Sequence, residues 1–191
     1  MITFAQSNYE KAMGEALSTW KSGKAKEASE MFEKIAQTEK ENWLPKYYQA
    51  LTLVTSSFAI QEEAEKTSIL KKANALIPTD PKALNSEWFV LKALATTSEL
   101  TIDPMNNAPL LSPSIISDYE TALQLDPNNP RAIAGLAEFS FQSKKFMGGN
   151  TKEECESLQK ALTLFESQKP EQPFYPVWGK ERAEALLKEC K

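Results

Sequence analysis

Apolar residues along this chain recur three and four positions apart. Met13, Leu17 and Trp20 follow that rhythm, as do Tyr47, Leu51 and Val54, and Leu158, Leu162 and Phe165. The spacing matches one face of a helix with ~3.6 residues per turn, not the alternation of a half-buried strand. Ser7-Asn-Tyr-Glu10 and Thr151-Lys-Glu-Glu154 read as capping boxes. Asp80-Pro81, Ser112-Pro113 and Asn129-Pro130 place a capping side chain before a proline at the first helical position. Gly23, Pro78, Pro127, Gly148-Gly149 and Pro170 mark stops. This punctuation predicts nine helices, at 7–21, 25–39, 44–58, 61–77, 82–99, 113–125, 130–143, 152–167 and 178–190. Short connections turn consecutive helices into antiparallel hairpins. The exception is 101–111, where Pro104, Asn106, Asn107 and Pro109 predict a loop. No segment reads as a strand.

Composition sharpens this picture. Valine occurs three times against 22 alanines and 20 leucines, which favours helices over sheet. With 191 residues, 41% of them hydrophobic, the chain can bury a sizeable core. No apolar run approaches the ~18–20 residues of a membrane span. There is no histidine, which removes imidazole from catalysis and metal binding. A net charge of −4 gives the whole molecule no pull toward nucleic acid. Glu62-Glu63-Ala-Glu65 and Glu153-Glu154-Cys-Glu156 could serve acid–base chemistry, but they fall in first helical turns, where the macrodipole favours carboxylates. Gly148-Gly149 could present amides to an anion, or simply make a turn that needs positive φ. The expectation is a protein that is not an enzyme and has no cofactor and no metal.

The helices also repeat. Ala122 to Ala132, ALQLDPNNPRA, parallels Ala73 to Ala83, ANALIPTDPKA. With Ala16, Gly23, Ala28 and Phe32 in the first unit and Ala50 in the second, the pattern resembles the tetratricopeptide repeat, a 34-residue helix-turn-helix. Insertions of 4, 15 and 5 residues between the late small positions Ile35, Ala73, Ala122 and Ala161 break its regularity. The fold expected is all-α, an irregular tetratricopeptide-repeat-like stack of antiparallel hairpins ending in a capping helix. A narrower resemblance is to exported proteins of Bacteroidetes-type bacteria without an assigned activity. It rests on Trp43-Leu-Pro-Lys-Tyr-Tyr48, Asp103-Pro-Met105, Phe146-Met-Gly-Gly149 and Trp178-Gly-Lys-Glu181. The segment after Met105 departs from that group.

The resemblance implies residues that line a concave face: Met13, Leu17 and Trp20; Tyr47, Leu51 and Val54; Phe89 and Ala93; Ala134, Glu138 and Phe141. Such aromatics either offer a partner surface or fill the core between hairpins. The main functional expectation is a non-enzymatic scaffold of the cell envelope that holds a peptide or protein segment there. The alternative is a small-ligand binder whose pocket is closed by the 101–111 loop. Residues 1–6 read as the stump of an export signal or a frayed end, and 7–191 as one helical-repeat domain. The resemblance favours the stump, and a periplasmic or secreted setting. Cys155 and Cys190 fall opposite each other across the last hairpin, because their numbers sum to twice the position of its connection. They are two buried thiols or, in an exported protein, a disulfide pinning the last helix.

Overall fold

A computed structural model describes residues 4–170 and 172–190, and among them every regular element is a helix. These are α1 (Phe4–Lys21), α2 (Ala25–Thr38), α3 (Trp43–Ser57), α4 (Glu63–Asn74), α5 (Ser86–Leu100), α6 (Pro104–Leu125), α7 (Pro130–Phe146), α8 (Lys152–Ser167) and α9 (Lys180–Leu187). Consecutive helices pack on one another from α1 to α4 and from α7 to α9. The chain folds into two compact units. One takes the chain up to Thr79 together with Ala95–Leu110; the other takes Asp80–Leu94 and the chain from Leu111 onward.

Local chemistry explains most boundaries. Asn129 Oδ1 accepts from the amides of Arg131 and Ala132, so Pro130, which has no N–H, opens α7 at no cost. Glu62 caps α4 through Ala64 and Glu65. Gly23 and Gly148 adopt φ of +84° and +73°, which only glycine takes up freely, so Gly148 closes a turn.

Elsewhere the structure corrects the expected boundaries. Asp80 caps a short 3₁₀ turn, Pro81–Ala83, and α5 starts later behind Asn85, whose Oδ1 accepts from the Trp88 amide. The 101–111 loop is not a loop. Pro104 opens α6, Asp103 accepts from the Asn106 amide, and the helix runs through Pro109 and Pro113. Pro104 stands at the first helical position, where the amide has no carbonyl to meet, so it removes nothing; Pro109 and Pro113 lie further in, and each removes one backbone hydrogen bond that the rest of the helix outweighs. Ser112 is therefore an interior residue and not a cap. At α8, Asn150 caps the Lys152 amide, and Thr151 makes no side-chain cap. At the N-terminus, α1 already includes Phe4, ahead of the expected box at Ser7; Met1 to Thr3 of the expected export stump lie outside the described residues.

Unit 1, the N-terminal one, is centred on aromatics. Phe32 stacks on Tyr48, and Trp20 and Tyr47 meet Tyr48 edge-on. The end of α5 is tied in by Ser57 Oγ to Ser98 Oγ at 2.7 Å and by Lys66 Nζ, donating to Thr101 Oγ1 at 3.0 Å. In unit 2, Ala137, Phe141, Leu158, Leu162, Ala183 and Leu186 form the core under α9. Beside it, Glu87 and Arg131 form a wholly enclosed ion pair.

Candidate functional site

The residues expected to line a concave face are mostly interior. Met13, Tyr47, Leu51, Val54 and Ala93 are fully buried, and Phe141 nearly so. Leu17, Trp20, Phe89, Ala134 and Glu138 are half-buried. Large rings remove much apolar area from water when enclosed, and they fill the space between packed helices here. Glu138 is bound to Arg182 of α9. No open trough is formed by this set as a whole.

The open concavity lies on other residues. In unit 1 a groove of about 1320 Å³ runs between α2 and α4 across α3. Its floor carries Gln49, Leu53, Ser56 and Ile60; Ser29, Glu30 and Glu33 stand on the α2 wall, and Glu65, Ile69, Lys72 and Leu76 on the α4 side. Gly23, Lys24 and Lys26 close one end. Leu53, Ile60, Ile69 and Leu76 are half-buried, so they give an apolar surface that a ligand can still reach. Lys24 is paired with Glu27 at 3.3 Å. No residue of 101–111 lines this groove, so the expected loop lid is corrected. The groove was hard to see in the sequence because its residues sit on the polar side of each helix. The signal available was Leu53 sharing a helix face with Gln49 and Ser56, and Ile69 sharing one with Glu65 and Lys72.

The groove lining contains no tyrosine, methionine or cysteine, and the chain has no histidine. Among the described residues no group of three or more Cys, Asp or Glu is placed to hold a metal ion. No helix among them is long and apolar enough to cross a membrane.

The cysteines are joined. Cys155 and Cys190 form a disulfide with a Cα separation of 5.8 Å, which ties the start of α8 to the end of α9. Such a bond fits a setting outside the cytoplasm. The segment before α9 packs inward through Pro176, and the Tyr175 ring lies 5.9 Å from the Arg131 guanidinium.

No family model matches this chain, and no curated protein matches it. Among solved structures it is similar to the HusA haemophore from Porphyromonas gingivalis, with a TM-score of 0.77 at 23% identity. The match covers 96% of this chain and 92% of that one. At that identity the likeness establishes the fold, and the source fits the Bacteroidetes resemblance. It also overturns the main functional expectation. The structure it matches over nearly its whole length is a haemophore and not a peptide-binding scaffold, so the expectation of a peptide-binding scaffold is withdrawn.

Proposed function

We propose that this protein is a non-enzymatic carrier of a planar tetrapyrrole such as haem, acting in the periplasm or as a secreted protein. The observation that carries the reading is the likeness to a haemophore over almost the full length of both chains. The groove of unit 1 supports it. Small-ligand sites usually occupy about 300–1,000 Å³, so the groove has room for a macrocycle. Leu53, Ile60, Ile69 and Leu76 would take the apolar face, and Lys24, Lys26 and Lys72 the ligand's carboxylates. With no imidazole, thiolate, thioether or phenol in the lining, attachment there rests on the ring face and the carboxylates rather than on the iron. We also read the hairpins as degenerate tetratricopeptide-type repeats. The enclosed small residues Ala50, Ala73, Ala122 and Ala161 support this, because they let helices approach closely.

The test is a titration of the oxidised protein with ferric haem and with iron-free protoporphyrin, read by absorbance. Saturable binding of both is expected. Leu53→Glu and Ile69→Glu should each weaken it at least about tenfold while the circular dichroism holds, since each puts a charge against the ring. Absence of saturable binding to either porphyrin would overturn the reading. Unchanged binding in both variants would remove the groove as its seat.

A further inference from the structure

The groove of unit 1 is apolar on one side only. Leu53, Ile60, Ile69 and Leu76 come from α3, from α4 and from the turns that follow each of them. Against them α2 sets Lys26, Glu30 and Glu33, spaced by four and three residues on one exposed helix face. A planar macrocycle seated on the aliphatic side therefore has one face covered. Its other face turns toward charged side chains and water, with no imidazole, thiolate, thioether or phenol of the lining to stand over it.

The lysines of the groove are divided between its two ends. The connections 39–42 and 58–62 are short and the helices they join pack together, so α2 and α4 both run antiparallel to α3. Lys24 and Lys26, at the start of α2, thus stand at one end, and Lys72, in the last turn of α4, at the other. Across these hairpins Lys26 comes level with Thr55 and Lys72 with Tyr48, which puts roughly 10 Å of α3 between them. A protoporphyrin carries both carboxylates on one edge, so a single one turns that edge to the lysines of one end only. The groove, at about 1320 Å³, also exceeds the ~300–1,000 Å³ usual for one small ligand.

We propose that the cargo of this groove is a stacked pair of tetrapyrroles, head to tail, an inference that rests on the tetrapyrrole reading above. The inner macrocycle lies on Leu53, Ile60, Ile69 and Leu76, and the outer one lies on the inner. One carboxylate edge meets Lys24 and Lys26, and the other meets Lys72. Stacking takes the bare face of the inner ring and one face of the outer ring out of water, in the offset contact that π-systems prefer. From α2 the pair needs room and lysines, not an apolar wall.

The probes are iron-free protoporphyrin and a protoporphyrin with an alkyl strap across one face, which can lie on the floor and cannot stack. Native mass spectrometry of the oxidised full chain counts porphyrins per chain, and circular dichroism in the porphyrin band reads their coupling. Protoporphyrin should saturate at two per chain with a split band, and the strapped form at one with an unsplit band. Leu53→Glu should weaken both protoporphyrins together, because the outer one has only the inner one to lie on. One protoporphyrin per chain with an unsplit band would overturn the pair and leave a single-ligand carrier. Two strapped porphyrins per chain, or a Leu53→Glu protein that weakens one protoporphyrin and keeps the other, would also overturn it. Absence of saturable binding to either probe would overturn the carrier reading and the pair with it.

Discussion

Replacing Glu87 by glutamine tests how unit 2 is held together. The Glu87 carboxylate is fully enclosed, and the Arg131 side chain is 1% exposed. Arg131 Nε lies 2.8 Å from Oε2, and Nη2 lies 2.7 Å from Oε1. Asn129 Nδ2 donates to Oε1 at 2.7 Å and to Ser86 Oγ at 2.8 Å, and Ser86 Oγ donates in turn to the Ala122 carbonyl. Arg131 Nη1 reaches Gln168 Oε1 at 3.0 Å. One ion pair thus joins α5, the cap of α7 and the end of α8. Glutamine keeps the volume and removes the charge, which takes from the buried guanidinium the carboxylate it is paired with. Breaking a buried pair from one side costs about 3–5 kcal/mol. For a chain of this size that lowers the thermal midpoint by roughly 10 °C. The assay is urea unfolding with the disulfide intact, with hydrogen exchange to locate the loss, because two compact units need not unfold together. Protection should fall in unit 2. The double variant Glu87→Leu, Arg131→Leu removes both charges and should cost less than the sum of its two single changes. A cost below about 1 kcal/mol for Glu87→Gln would refute the reasoning, since that is the range of exposed pairs.

Other outcomes follow from the same structure. A Cβ on Gly135 would sit 2.4 Å from Cε1 of the buried Tyr119, so Gly135→Ala should destabilise by about 1–3 kcal/mol in denaturant melts, and much less in a Tyr119→Leu background. Replacing Cys155 and Cys190 together by serine opens a loop with a sequence separation of 35 and should cost roughly 3–4 kcal/mol, with exchange protection lost first in α9. Burial raises the Tyr119 phenol above its ordinary pKa of 10, so the fold favours the neutral form. Its contribution is complete below about pH 10 and declines above it by up to about 1.4 kcal/mol per pH unit; Tyr119→Phe should flatten the stability profile between about pH 10 and 11.5.

Much of this architecture is local and was therefore legible in the sequence. The caps at Asn129 and Asp80 and the glycine turns at Gly23 and Gly148 act within a few residues of chain, so their chemistry reads directly. The disulfide was legible for a related reason, since a short connection fixes which residues face each other across a hairpin. The start of α6 was not, because Pro104 and Pro109 look like loop residues and Ser112-Pro113 like a helix start until the rest of the helix holds them in register. Whether Tyr47 and Phe141 faced a partner or a core was undetermined, because helical spacing identifies a face but not what covers it. Packing against neighbouring helices decided that, and it placed both inside. The same holds for Leu53 of α3 and for Ile69 and Lys72 of α4, which nothing in the sequence brings together. They become a groove only because α2 and α4 stand on either side of α3. Glu87 and Arg131 lie 44 residues apart, and nothing near either one names the other. Spacing along one helix settles its own geometry, whereas a concavity or a buried charge pair depends on how separate helices are brought together in space.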